Sequence, residues 1–425
     1  MFVMAAVLAA GCSRQEAKQT AQTTTAKVAQ KVQDAFDDVS TPVGKPDPNA
    51  AKQREQERFD QRWRELQSFR AQQQAAAAAQ QQQKAAEQAL QIAFVTGKKE
   101  TFKGADPQKI NAAPVNVPIT GDQRGPSVLR AQVLLDRAHY AVGVIDGRWG
   151  RNSAIAVWWW QRAHGIQPTG DIDEATFRSI AQAAGNVEPV VSHTLTDDDV
   201  KGPFVTIPEE VYDQESLKCL CYESLREKLA ERFHASEDFL EVLNPNVDFS
   251  SLAAGTTINV PNVREPMTAD QRDIAKIVVS IAGNSLNGYD ANGGLIFHAP
   301  TTVGAGYDPS PDETVQVAKI VPDPHFHYDP KLYHEVSDDK PDAHLNPGPN
   351  SPVGVVWIAL SKPHYGIHGT KDPDSIGYAS SHGCVRLTNY DADELRRRIS
   401  EGVSVAFVDT SSKNLPEVAK KASGE

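Results

Sequence analysis

Beyond its first dozen residues the chain has no run of about 20 apolar residues, the length an α-helix needs to cross a bilayer, so nothing downstream reads as a membrane span. Basic charge is also scarce. Lys and Arg number 43 against 55 Asp and Glu, and the formal net charge of −12 gives no electrostatic footprint for phosphate binding, which needs clustered Lys and Arg. Nucleic acid is therefore not an expected partner. Cysteine is scarcer still, four in 425 residues, too few for a disulfide-built scaffold. Hydrophobic residues make up 40% of the chain, which at this length supports two or three domains rather than one.

What is present begins at the N-terminus. Residues 1–10 are almost wholly apolar and run directly into Gly11-Cys12, which reads as an export signal and not a fold element. Leu8-Ala9-Ala10-Gly11-Cys12 resembles a bacterial lipobox. That resemblance implies lipidation of Cys12. With Ser13 next, it also implies a periplasmic protein anchored to the outer membrane of a diderm bacterium. An ordinary cleaved signal is the alternative. Cys219 and Cys221 either pair in an oxidising compartment or are two small buried residues. Cys384 is left over, and an odd thiol in an exported protein is a candidate reactive group.

Composition divides the remainder. Residues 13–51 have few large apolar side chains and read as a disordered tether. Over 52–95, Phe59, Trp63 and Leu66 recur at helical spacing in an Ala/Gln-rich stretch, predicting a helix of roughly 60 Å. Pro and Gly at intervals make 96–124 a linker. Residues 125–184 form the first compact unit. Its Asp146-Gly147-Arg148-Trp149-Gly150 turn precedes a helix that Ser153 can cap, and Pro168-Thr169-Gly170-Asp171 makes a second turn before a helix over 173–180. The Asp-Gly-x-x-Gly, aromatic-Gln-x-x-x-Gly and Thr-Gly-x-x-Asp pattern resembles the small helical peptidoglycan-binding domain. Trp158 and Trp159 either stack on sugar or pack in the core. In 204–263, helices are expected from Tyr222 to Phe233 and over 239–243, then a strand over 256–260. The end of that segment, from Phe239 to Asn262, is similar to a LysM module, which implies a βααβ fold.

Residues 273–410 are the largest unit, followed by a tail over 411–425. Strands are expected over 277–281, 295–298, 355–360, 366–368 and 403–408, and a helix over 391–400 capped by Asn389 or Asp391. Residues 301–350 are a long loop rich in Pro, Asp and His. His325, His327, His334 and His344 lie there without ligand spacing and read as solvated side chains, not metal ligands.

The chemistry concentrates between Tyr365 and Asn389. His368-Gly369 ends an apolar strand, and Ser381-His382-Gly383-Cys384-x-Arg386 follows a spacer. A thiol becomes a strong nucleophile on deprotonation, so it needs a base or a cation nearby. His368 can supply the base if the spacer closes. His382 and Arg386, each two residues from Cys384, can share its face of an extended segment. Gly383 permits close approach of backbone amides to an acyl oxygen.

These motifs resemble the L,D-transpeptidase (YkuD-like) family, over the whole of 276–409 and including Pro347-Gly348-Pro349-Asn350-Ser351-Pro352-Val353-Gly354. Ser310-Pro311-Asp312 stands where the family carries Pro-Thr-Gly. The resemblance implies a multidomain α+β protein whose mostly β catalytic domain follows the helical wall-binding domain and the LysM-like module. It implies Cys384 as nucleophile, His368 as general base and acid, and the Gly369 carbonyl as orienter of that imidazole. Ser381, His382, Gly383 and Arg386 would line the acyl site. The implied reaction transfers the acyl group of a tetrapeptide stem through a thioester to an amine, giving a 3→3 cross-link, with no metal or organic cofactor. Partners would be stem peptides, glycan strands and, through Cys12, a membrane. The alternatives are an L,D-carboxypeptidase, an enzyme attaching lipoproteins to the wall, or a structural wall anchor with an inert catalytic domain.

Overall fold

The computed structural model describes residues 91–408 apart from 103–105, 307–308, 333–335 and 338, together with nine positions between 61 and 80. Those nine are helical and exposed, in accord with a helix there. The signal with Cys12, the tether, the stripe Phe59, Trp63 and Leu66, and the tail lie outside the described residues.

Residues 96–124 are not a linker, and the helix expected over 52–95 does not reach its end, where a strand lies instead. Strand β1 (Phe94–Val95) pairs in parallel with β2 (Val115–Asn116), and helix α1 (Pro107–Ala112) lies between them. Ile110, Val115, Val117 and Ile119 are buried. Pro and Gly at intervals punctuate these residues, so the short alternation Val115, Val117, Ile119 is easily passed over as a loop. Three helices follow, α2 (Pro126–Arg137), α3 (Arg151–Ala163) and α4 (Glu174–Ala184). Two buried glutamines fix the turns between them. Gln132 Oε1 accepts from Gly147 N at 2.8 Å and its Nε2 donates to Arg148 O. Gln161 Oε1 accepts from Thr169 N and Gly170 N, and its Nε2 donates to Asp171 O at 2.8 Å. The glutamine of the wall-binding pattern is thus a turn staple. Ser153 does not cap α3. Gly150 occupies the N-cap without a side-chain bond, and Ser153 is buried beside Gln132. Trp158 and Trp159 are core residues, edge to face with ring centroids 5.0 Å apart.

Strand β3 (Val190–Thr194) pairs antiparallel with β4 (Thr257–Pro261). The short helices α5 (Asp197–Val200) and α6 (Val211–Gln214) come next, then α7 (Leu225–Arg232) and α8 (Glu237–Leu243). Ser224 and Ser236 cap the last two. This βααβ unit therefore begins near 190 and not at 204, because its first strand is separated from the helices by an inserted loop. Cys219 and Cys221 are disulfide-bonded within that loop. It packs Leu220 against Ala343 and Leu345 of the catalytic unit. The helical unit and the βααβ unit share one continuous apolar core.

The catalytic unit is an eight-stranded sheet in the order β13-β12-β11-β8-β14-β5-β6-β7. Its strands are β5 (Lys276–Ser280), β6 (Ser285–Tyr289), β7 (Leu295–Pro300), β8 (Thr314–Pro322), β11 (Val356–Leu360), β12 (Gly366–His368), β13 (Val385–Arg386) and β14 (Ser404–Val408), and β9 (Phe326–Tyr328) with β10 (Ala343–Leu345) forms a separate hairpin. Residues 301–350 are therefore not one long loop, since β8, β9 and β10 fall within them. The two edges of the sheet meet. Just past β7, Thr302 N donates to Arg386 O at 3.0 Å and Arg386 N returns a bond to Thr302 O at 2.8 Å. The exposed donors and acceptors of edge strands are paired at that seam. Helix α9 (Asn389–Arg398) packs on the sheet and is capped by Thr388, whose hydroxyl accepts from Asp391 N. Neither Asn389 nor Asp391 is the cap, since both side chains are engaged elsewhere.

One buried cation joins the three units. The Arg264 guanidinium meets Asp136 of α2, Asp391 of α9 at 2.5 Å and Glu394 of α9 at 2.6 Å. Burial pushes the Asp136 and Glu394 carboxyls up, and Arg264 with the neighbouring histidines more than reverses this, so both lie below the ordinary carboxylate range. For Asp391 burial prevails and its carboxyl is raised. Groups with depressed values stabilise the fold above their unfolded pKa near 4, and that contribution is lost as pH falls through the folded value. Arg264→Ala strands buried carboxylates and is expected to cost about 3–5 kcal/mol at neutral pH in chemical denaturation. A loss below about 1 kcal/mol would show that the junction does not hold the units together.

Candidate active site

Strand β12 lies between two neighbours of opposite sense. It runs antiparallel to β11, with Trp357 opposite His368, and parallel to β13, with Ile367 opposite Val385 and His368 opposite Arg386. Side chains alternate along a strand, and paired residues point to the same side. Cys384 lies two residues before Arg386, in the bend that leads into β13, just after Gly383 with its φ of +97°. Ser381, Gly383 and Val385 are buried, whereas His382, Cys384 and Arg386 are partly open. The register of β12 and β13 sets His368 opposite Arg386, two residues from the partly open Cys384.

The His368 ring is only 4% exposed. Its Nδ1 donates to the Gly369 carbonyl at 2.7 Å, since a carbonyl can only accept, so Nε2 is the nitrogen that takes up a proton. Trp357 stacks beside the ring, with centroids 5.4 Å apart. The Cys384 Sγ donates to His364 O at 3.6 Å, and the Gly366 amide donates to the sulfur.

Behind the histidine lies Asn389, whose role the sequence reading missed. Its Oδ1 accepts from Val355 N at 3.2 Å, and its Nδ2 donates to Pro349 O and to Glu231 Oε2 of α7 at 2.8 Å. A methyl group on Gly369 would lie 2.2 Å from Asn389 Oδ1, and one on Gly354 (φ +59°) 1.9 Å from it. Both glycines are required for the asparagine to sit against the segment that carries the Gly369 carbonyl. The available signal was two glycines, Gly354 and Gly369, and an amide too polar to bury without partners.

Ser381 and Gly383 hold the approach to the thiol. Ser381 Oγ donates to Cys384 O at 2.5 Å, and Ser381 N donates to Val303 O. Gly383 adopts φ +97°, and a side chain there would strike Tyr365. Its carbonyl accepts from Ser310 Oγ at 2.8 Å, and the same Oγ accepts from Gly304 N. Ser310-Pro311-Asp312 therefore still serves the site. His327 donates toward Asp342 at 2.9 Å and stacks on His344, and both are exposed on the β9–β10 hairpin. Among the described residues no group of three or more His, Cys, Asp or Glu is arranged to hold a metal. His334 lies outside them.

Electrostatics favour a neutral pair at rest. Burial, then the Arg386 charge, lowers His368 to about 4, against a smaller opposite pull from the Gly369 carbonyl. Burial raises the Cys384 thiol, opposed by the Gly366 amide and Arg386. The free site should hold a thiol beside a neutral imidazole rather than a thiolate–imidazolium pair. Iodoacetamide alkylation of Cys384 should then rise continuously between about pH 6 and 9, the range below a raised thiol pKa. A reactive plateau extending down to about pH 5 would contradict this.

Comparison with known proteins identifies two domains. Residues 275–407 match the L,D-transpeptidase catalytic domain (YkuD), and residues 124–180 match the peptidoglycan binding domain PG_binding_1. The YkuD protein of Bacillus licheniformis, named for L,D-transpeptidase activity, is 32% identical over 43% of this chain and 92% of its own length. YkuD of Bacillus subtilis is 31% identical over 42% of this chain and 90% of its own. YbiS of Escherichia coli, named for the same activity, is 29% identical over 39% of this chain and 54% of its own. The chain is therefore an enzyme of the L,D-transpeptidase family, with a peptidoglycan-binding domain ahead of its catalytic domain.

Proposed function

We propose that Cys384 and His368 carry an acyl transfer that forms 3→3 cross-links in peptidoglycan. The observation that carries this reading is the pairing of β12 with β13, which sets His368 opposite Arg386, two residues from Cys384, with the imidazole turned so that Nε2 accepts. His368 takes the thiol proton as sulfur attacks the carbonyl of the third stem residue. The tetrahedral oxygen is stabilised by backbone amides around Gly383, and His382, Arg386 and Ser381 line the acyl site. The C–N bond to the terminal D-Ala breaks, and His368 returns its proton to that leaving amine. A second stem's amine then attacks the thioester, passes its proton to His368, and releases the thiol.

A neutral resting pair suits this sequence, because charge appears only during attack. With His368 near pKa 4 the base is available throughout the neutral range.

Residues 1–12 support export and lipidation at Cys12, which would place the enzyme in the periplasm on the outer membrane; incorporation of labelled palmitate, lost in Cys12→Ala, tests this. The βααβ arrangement of 190–261 supports reading that unit as LysM-like, contacting glycan strands.

Purified enzyme is expected to convert tetrapeptide muropeptides to 3→3 dimers, read by mass spectrometry. Cys384→Ala abolishes the product, and His368→Ala lowers kcat/KM by about 10²-fold or more. Both variants keep their binding to sacculi. Release of D-Ala without dimers would make the protein a carboxypeptidase. Transfer only to a lipoprotein lysine would make it an anchoring enzyme. No turnover in the wild type would leave a structural role.

A further inference from the structure

The segment between His368 and Cys384 is gripped by the peptidoglycan-binding domain. At the start of α3, Arg151 Nη1 donates to Gly377 O at 2.8 Å, and Asn152 Nδ2 donates to Ile376 O at 2.9 Å. Asn152 is 7% exposed and Ile376 1%. Gly377 adopts φ +84°, and a Cβ there would lie 2.2 Å from Asn152 Oδ1, so the segment passes the asparagine at the closest approach a backbone allows. Asn284 Nδ2 adds a second donor to Gly377 O at 3.0 Å.

The grip is reciprocal. Helix α3 has no side-chain cap of its own at Gly150, leaving first-turn amides in need of an acceptor. The Tyr378 phenolic oxygen fills that place, accepting from the Arg151 and Asn152 amides, and a methyl group at Gly150 would lie 3.1 Å from it. A residue of the catalytic domain thus caps a helix of the wall-binding domain.

The grip leads to the reacting strand in one step. Gly377 N donates to Thr302 Oγ1 at 3.2 Å, and Thr302 Oγ1 donates to Ser375 O at 3.3 Å. The Thr302 backbone exchanges both hydrogen bonds with Arg386. Arg386 stands opposite His368 and two residues from Cys384.

We infer that Arg151, Asn152 and Tyr378 are positioning residues for acyl transfer: the wall-binding domain sets the path of the segment joining base to nucleophile. It is then part of the catalytic unit, not only an anchor. This rests on the reading of Cys384 and His368 given above.

The test uses the full chain with Asn152→Ala, Tyr378→Phe and their combination, with Arg151→Ala and Arg151→Lys alongside. Asn152→Ala is expected to lower kcat about tenfold while KM for muropeptide and binding to sacculi stay within about twofold. Hydrogen exchange over 375–378 should quicken while the melting midpoint stays nearly constant. Tyr378→Phe should lower kcat in the same way, and the double variant should lose less than the product of the two single losses. Arg151→Lys should recover most of what Arg151→Ala loses. Unchanged kcat in Asn152→Ala and Tyr378→Phe would overturn the inference. So would parallel loss of kcat, sacculus binding and melting midpoint, which marks a purely structural contact. Should the wild type itself make no product, the transferase reading fails, while unchanged exchange over 375–378 in the variants separately defeats the grip.

Discussion

A parallel ladder only two residue pairs long carries the site, and most of the surrounding structure exists to hold it. Strands β12 and β13 pair through Ile367–Val385 and His368–Arg386. Parallel neighbours cannot be joined by a tight turn and need a crossover of a dozen or more residues. The sixteen-residue offset from His368 to Cys384 is that crossover. The spacing between the histidine and cysteine motifs thus follows from strand direction. So short a ladder needs support on both sides, and it has it. Arg386 is bonded to Thr302 across the seam where the sheet closes, and β12 is bonded to β11 on the other side. Backbone groups near the nucleophile are satisfied while the side-chain face remains partly open.

Each end of the crossover is fixed by different chemistry. At the histidine end, Asn389 sits against Gly354 and Gly369 and is itself held by Glu231 of the βααβ unit. At the cysteine end, Ser310 and Ser381 hold Gly383 and Cys384 through their carbonyls. Both N-terminal units therefore reach the catalytic residues within a few contacts. The Arg264 junction makes that possible. A buried guanidinium facing three carboxylates gains little over an apolar cluster in free energy, but it tolerates few alternative geometries. His234 on Asp136 and His139 on Glu394, both at 2.8–2.9 Å, tighten it.

Much of this was legible in the sequence wherever a local rule dominated. The strands β11 and β14 follow from apolar, partly β-branched runs, and α7 and α8 follow from apolar residues at helical spacing. The histidine and cysteine motifs come near each other in the chain's path because β12 and β13 pair at His368 and Arg386. What could not be read depended on partners distant in sequence. Residues 96–124 look like a linker because Pro and Gly interrupt them at intervals, and only the shared core gives their apolar residues a place. Strand β3 was missed because the inserted loop with Cys219 and Cys221 separates it from its helices. Ser153 was expected to cap α3, but its helix begins one turn earlier in register, at Gly150, where no local residue can serve. Asn389 looked like a cap because caps and backbone wedges draw on the same residue types.

The central claim is that Cys384 accepts the acyl group and His368 moves its proton. Intact-protein mass spectrometry during turnover of a tetrapeptide muropeptide tests it most directly. The account predicts a transient adduct with the mass of the donor minus D-Ala, mapped to Cys384 and absent from Cys384→Ala. In His368→Ala its formation should be slowed by about 10²-fold or more. An adduct on any other residue, or turnover that continues without Cys384, would contradict it.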